Sequence, residues 1–143
     1  MLLQEGINGR EIECAVLGNN NISVTTVGEV LPASEFYDFD AKYNNKESKT
    51  VIPADLDEEI IKDIKEKSTK IFRALDCKGL ARVDFFVENG TNRVIFNEIN
   101  TFPGFTSISM YPMLWEEEGL NKPELLDRLI DLAFEEFNNK NMG

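Results

Sequence analysis

Arg82, Asp84, Glu98 and Asn100 stand in a hairpin that should otherwise be bland. Residues 80–87 and 94–99 read as two strands around Glu88-Asn89-Gly90-Thr91-Asn92, a strong turn signal. In the first strand Val83, Phe85 and Val87 share a core face, leaving Arg82, Asp84 and Phe86 on the other. In the second, Ile95 and Ile99 match the core face, while Phe96, Glu98 and Asn100 point away. Two carboxylates brought together without a cation repel each other, and a divalent ion between them removes the conflict. Asp, Glu and an Asn carbonyl form a hard-oxygen set suited to Mg²⁺, with phosphate oxygens completing the shell. Arg82 on the same face would reach a transferring phosphoryl group. The plainer alternative is a solvated polar face with Arg82 paired to Glu98. Register separates the two. A two-residue Asn89-Gly90 turn pairs Asp84 with Ile95 and splits the carboxylates, whereas an odd loop or a bulge sets Asp84 beside Glu98.

Other chemistry is narrowed by what the sequence lacks. There is no histidine, so Ser-His-Asp and Cys-His catalysis and imidazole zinc sites are excluded. Cys14 and Cys77 form no CxxC pair, which leaves oxygen-ligated Mg²⁺, Mn²⁺ or Ca²⁺ as the metals to expect. No Gly-Lys-Ser/Thr loop and no GxGxxG occurs. Directly after the hairpin, Thr101-Phe102-Pro103-Gly104-Phe105-Thr106-Ser107 contains a Pro-Gly turn whose backbone N–H groups can receive an anion, or which is simply a turn.

The remaining elements must hold this hairpin. Met1–Glu5 reads as a strand already under way, as in a fragment of a longer protein. Ile12, Cys14 and Val16 alternate with Glu11, Glu13 and Ala15, a half-buried strand, and Ile22–Leu31 is its hairpin partner. Between Pro32 and Pro53 patterning fails, and four aromatics in so long a loop suggest a lid. Asp55–Asp76 is the clearest helix, with Asp55 as its cap and Ile60, Ile61, Ile64, Ser68, Ile71, Phe72 and Leu75 at helical spacing. A short helix covers Pro112–Glu118. The last starts near Pro123, buries Leu125, Leu126, Leu129, Ile130, Ala133 and Phe137, and frays after Asn138. The pattern predicts one α+β domain, 1–143: an antiparallel sheet with helices packed on one side.

Composition bounds the partners. The 143 residues carry 15 Lys+Arg against 26 Asp+Glu, a net charge of −11 that disfavours a nucleic-acid backbone. No apolar run approaches the ~20 residues of a membrane span, and no secretory signal opens the chain. A reducing cytoplasm is the expected compartment.

Gly9-Arg10-Glu11, Glu35-Phe36-Tyr37-Asp38, Ala41-Lys42-Tyr43 and Ile52-Pro53-Ala54 occur in order. Gly79-Leu80-Ala81-Arg82-Val83-Asp84-Phe85-Phe86, Asn97-Glu98-Ile99-Asn100-Thr101-Phe102-Pro103-Gly104 and Ser109-Met110-Tyr111-Pro112 follow. Together they closely resemble the C-terminal half of the D-alanine–D-alanine ligase family, within the ATP-grasp superfamily, from about Leu2 to Phe137. The resemblance implies a C-terminal ATP-grasp lobe. Its reaction begins when the carboxylate of one D-alanine attacks the γ-phosphate of ATP, giving an acylphosphate. The amine of a second D-alanine then displaces phosphate, and the dipeptide serves peptidoglycan synthesis.

By the same resemblance, Asp84, Glu98 and Asn100 match ligands of two Mg²⁺ (or Mn²⁺), with Glu98 bridging. Arg82 matches the arginine that stabilises the transferring phosphoryl group, and Gly104 a backbone N–H at the oxyanion. Ser109 and Met110 match positions holding the second D-alanine's carboxylate. Lys42 matches a phosphate-binding lysine on the mobile loop, and Tyr43 the tyrosine associated with D-alanine rather than D-lactate. Glu11 matches the acid on the ribose hydroxyls; Gln4, Glu5, Phe36 and Phe96 fall near the nucleotide. Acylphosphate chemistry needs charge neutralisation more than a general base, so the lack of histidine is compatible with it. Two positions depart from the family: Gln4 replaces a common acid and Gly6 a bulky residue. The family's N-terminal and central domains have no counterpart in these residues. The expected partners are therefore D-alanine, that N-terminal half and, in full length, a second copy, with the fragment alone inactive. The rivals are a ligase making D-alanyl-D-serine or D-alanyl-D-lactate, and a non-enzymatic divalent-cation or partner-binding module.

Overall fold

A computed structural model describes residues 1, 3, 5–32 and 49–142. Its strands are β1 (Gly9–Gly18), β2 (Ile22–Leu31), β3 (Lys49–Val51), β4 (Gly79–Glu88) and β5 (Val94–Asn100). The helices are α1 (Glu58–Ala74), α2 (Met110–Glu117) and α3 (Lys122–Asn141). The strands form one sheet in the order β3-β2-β1-β4-β5, and every pairing between neighbours is antiparallel.

Alternation along β1 and β4 makes two apolar faces. Ile12, Cys14, Val16, Ala81, Val83, Phe85 and Val87 form one core with Ile64 and Phe72 of α1. Ala15 and Leu17 form a second with Met110, Tyr111, Leu114 and Trp115 of α2 and Leu125 of α3. The antiparallel sheet with helices is as expected, but the helices lie on both faces, not one. The reason is that β1 is buried through Ala15 and Leu17 as well as through its alternate residues. Tyr111 fastens α2 to the sheet by donating its hydroxyl to the Val16 carbonyl at 2.8 Å. On β1 and β4 the second core takes the Leu17–Leu80 end of the strands, and Met110 reaches Gly28 of β2. The other end of these two strands, carrying Glu11, Glu13, Asp84 and Phe86, is left for polar side chains.

Several boundaries differ from expectation. No strand forms at the described residues among the first five. Within the 32–53 stretch, where the pattern shows no element, Lys49–Val51 form β3, which pairs Glu29 with Val51 and Leu31 with Lys49. The N-cap of α1 is Asp57, not Asp55, and it makes no side-chain cap bond. Asn121 caps α3 by accepting from the Glu124 N–H at 3.0 Å, with Pro123 in the first turn. That helix runs to Asn141, past the polar tail expected to fray. Of the residues expected to be buried on α3, Leu125 is buried and Leu129 partly so; Leu126, Ile130, Ala133 and Phe137 are exposed.

Candidate phosphate and cation site

The β4–β5 hairpin closes between Glu88 and Arg93, where the Glu88 N–H donates to the Arg93 carbonyl at 2.9 Å. Gly90 and Asn92 take positive φ values of 87° and 56°, which a four-residue loop here requires. From that turn the register runs Val87↔Val94, Phe86↔Ile95, Phe85↔Phe96. It then shifts: Asp84 pairs with Glu98, Val83 with Ile99 and Arg82 with Asn100, leaving Asn97 as a bulge. The bulge brings the two carboxylates onto one face of adjacent strands, and Arg82 and Asn100 follow in the next row.

The bulge also corrects two assignments. Phe96 is paired with Phe85, its ring edge-on at 6.1 Å between centroids, on the α1 face and away from Asp84. Ile95 takes the place opposite Phe86 instead of joining the core face. The i, i+2 spacing of Phe96, Glu98 and Asn100 implied one shared face; an inserted residue breaks that inference.

On the other side of β4, Glu13 of β1 sits opposite Asp84 and Ala15 opposite Arg82. Glu13, Asp84 and Glu98 therefore form a row across three strands. Arg82 is the cation that answers them. Its Nε and Nη2 donate to the two carboxylate oxygens of Asp84 at 2.9 and 3.0 Å, and Nε lies 3.2 Å from Oε2 of Glu13. Glu98, the partner a plain polar face would give it, is not among its ion pairs with the described residues; Glu98 is exposed, while Asp84 is 8% exposed. Burial, then repulsion from Asp84, lifts the Glu13 carboxyl to about 7 against the pull of Arg82, with Glu11 and Glu98 adding to the rise. The hydrogen bond it donates to Asp84 chiefly raises the Arg82 guanidinium, opposed by burial. Sequence reasoning missed Glu13. It read as the solvent side of an alternating strand, and only the register with β4 gives it partners.

Three carboxylates against one guanidinium leave a negative surplus that a divalent cation would offset. Among the described residues no group of three or more His, Cys, Asp or Glu side chains is already gathered as an ion cage. Asp84 faces Arg82, and the Asn100 Oδ1 accepts from the Phe102 N–H at 3.0 Å. The donor types and the shared face fit a hard cation that brings further oxygen ligands with it.

The other expected residues are spread along the same face and the following loop. Glu11 lies two residues along β1 from Glu13, exposed, lining a polar groove with Asn8, Val30 and Pro32. Glu5 is not beside Asp84; it is 3.9 Å from Arg93 at the hairpin turn. Gly104 lies close to Ser109, whose hydroxyl a Cβ at Gly104 would meet at 2.9 Å. Ser109 Oγ also accepts from the Thr106 N–H at 3.0 Å and meets the Thr106 hydroxyl at 2.7 Å. Met110 spends its side chain in the core against Gly28, leaving a backbone N–H in the first turn of α2, where such donors lack intrahelical partners. Gln4, Phe36, Lys42 and Tyr43 lie outside the described residues.

A family model described as "D-ala D-ala ligase C-terminus" matches residues 1–131. The D-alanine--D-alanine ligase of Acetivibrio thermocellus is 60% identical over 138 residues, covering 96% of this chain and 37% of that protein. The chain thus spans little more than a third of the length of the relative it matches. Among solved structures, the D-alanine-D-alanine ligase from Coxiella burnetii superposes with a TM-score of 0.85 at 42% identity, covering 97% of this chain and 36% of that one. The VanG D-Ala:D-Ser ligase from Enterococcus faecalis gives 0.76 at 44% identity, over 90% and 37%. The D-alanine--D-alanine ligase from Bacillus anthracis complexed with ATP gives 0.76 at 25% identity, over 96% and 42%.

Proposed function

This chain belongs to the D-ala D-ala ligase C-terminus family, and we propose that it is the C-terminal ATP-grasp lobe, a single domain over 1–143, of an ATP-dependent ligase joining two D-alanines for peptidoglycan synthesis in the cytoplasm. The observation that carries the reading is the bulge at Asn97, which sets Asp84 beside Glu98 with Arg82 and Asn100 in the next row.

Asp84, Glu98 and Asn100 would hold two Mg²⁺ or Mn²⁺ ions, which when bound supply charge neutralisation for the phosphates of ATP. The protein's own groups do the rest. Arg82 directs a guanidinium, whose positive form is favoured by Asp84 and Glu13, at the phosphoryl group in transfer. The backbone N–H of Gly104 faces the oxyanion, and Ser109 with the Met110 N–H takes the carboxylate of the second D-alanine. Glu11 receives the ribose hydroxyls, and Gln4 and Glu5 are assigned to the base by the resemblance alone. Phe36, Lys42 and Tyr43 carry the adenine, phosphate and second-substrate roles of the covering loop, which excludes water from a hydrolysable acylphosphate. The preceding half of the enzyme completes the clasp on ATP, and the full-length protein works as a homodimer.

The test is D-alanine-dependent ADP release. The full-length protein carrying this chain is expected to release ADP with D-alanine and Mg²⁺, to stop when Mg²⁺ is chelated, and to lose at least ~100-fold in rate on Asp84→Asn. The 143-residue chain alone is expected to show no turnover. A full-length protein that makes no dipeptide from D-alanine, or turnover by this chain alone, sinks the reading. The 44% identity to a D-Ala:D-Ser ligase supports a second reading, D-serine as the second substrate. Competing D-alanine, D-serine and D-lactate in one reaction and identifying the product decides it.

A further inference from the structure

Arg82 has two carboxylate partners, and the proposed function needs one of them for something else. Its bonds to both oxygens of Asp84 fix the plane of the guanidinium. Asp84 is also the buried carboxylate that a cation beside Glu98 would take. Once Asp84 turns its oxygens to an ion, an arginine with no other anchor swings free or holds on and competes with the ion. Glu13 occupies the place that prevents both. It comes from β1, directly across the ladder from Asp84, with its side chain 14% exposed and Oε2 3.2 Å from Nε of Arg82. Across its other flank stands Gly28, which offers no side chain to compete for the carboxylate. Of the charges acting on Glu13, Arg82 is the one that favours its ionised form; Asp84, Glu11 and Glu98 oppose it. Glu13 thus lies within reach of Arg82, with the like charge of Asp84 across one flank and, across the other, Gly28 packed against the Met110 side chain.

We infer that Glu13 is a positioning residue that retains Arg82 when Asp84 is handed to a divalent cation. It touches neither the ion nor the substrate and works through the guanidinium. The inference rests on the ligase reading, and a metal-binding cycle separates the two. Mn²⁺ affinity of the full-length protein is measured by calorimetry with a non-hydrolysable ATP analogue present, for wild type, Glu13→Ala, Arg82→Ala and the double variant. Without Glu13, Arg82 stays on Asp84, so Glu13→Ala is expected to weaken Mn²⁺ binding by about tenfold, the lower end for groups that orient metal ligands. In the Arg82→Ala background the same change is expected to alter affinity less than about twofold, because nothing remains to be held. Glu13→Gln, which keeps the shape and an accepting oxygen, is expected to fall between wild type and Glu13→Ala and serves if the alanine variant does not fold. An equal loss in both backgrounds means Glu13 acts on the ion directly and overturns the inference. No loss in either background overturns it too. Wild-type protein that binds no Mn²⁺ with the nucleotide overturns both this inference and the ligase reading.

Discussion

A carboxylate and a guanidinium two residues apart on one strand share a face, so Arg82 and Asp84 were legible as a pair from alternation alone. Glu98 and Asn100 were legible in the same way. Glu13 was not, because its significance comes from a strand almost seventy positions later in the chain. Nothing local distinguishes it from Glu11, which stays exposed. The two thiols illustrate the same dependence on surroundings. Cys14 is fully buried, its Sγ 3.5 Å from the Thr25 carbonyl, and burial pushes the thiol up to about 11. Cys77 is half-buried and is raised less, first by burial and then by Asp76. A raised thiol pKa leaves less thiolate at pH 8 and slows attack on a disulfide reagent. Ellman's reagent is expected to titrate one thiol slowly in the native chain and two in guanidinium chloride. Cys77→Ser should leave the native chain unreactive; a fast-reacting Cys14 would contradict the packing of β1.

At the scale of the element, the hairpin and α1 announced themselves and their details did not. The turn cluster located the hairpin, but the four-residue loop and the bulge at Asn97 together set which faces meet, and a bulge has no reliable signature in a strand of this composition. The cost of that omission was Phe96 and Ile95, placed on the wrong faces. In α1 the 3.6-residue spacing identified the buried stripe, and Ile64, Ser68 and Phe72 are indeed its buried residues. Phe72 is wholly enclosed in the core beneath β1 and β4, whereas Leu75 at the C-cap is 57% exposed. Phe72→Ala is therefore expected to cost about 3–5 kcal/mol in urea unfolding, the range for emptying a buried phenylalanine site. Leu75→Ala, one turn on, is expected to cost under about 1 kcal/mol. Similar costs at the two positions would mean that α1 packs on a different face.

For the molecule as a whole, hydrophobic spacing tells which side of a helix is apolar but not what that side meets. On α3 only the Leu125 edge reaches the second core. Leu126, Ile130, Phe134 and Phe137 remain exposed, and Phe102, 89% exposed, stands beside the groove that α3 forms with residues 102–105. A contiguous apolar face of this kind is unusual on a monomer, and it sits on a chain whose net charge of −11 otherwise favours solubility. An apolar fluorescent dye should therefore bind the native chain, without any unfolding, along this exposed face of α3. Replacing Phe134 and Phe137 together with serine is expected to reduce the dye signal by roughly half or more. Because both rings are already largely in water, at 64% exposure each, unfolding free energy should move by no more than about 1 kcal/mol. Loss of dye binding with an unchanged melt locates the apolar surface on α3. Unchanged dye binding moves it elsewhere, and a large drop in stability would mean that α3 buries its phenylalanines after all.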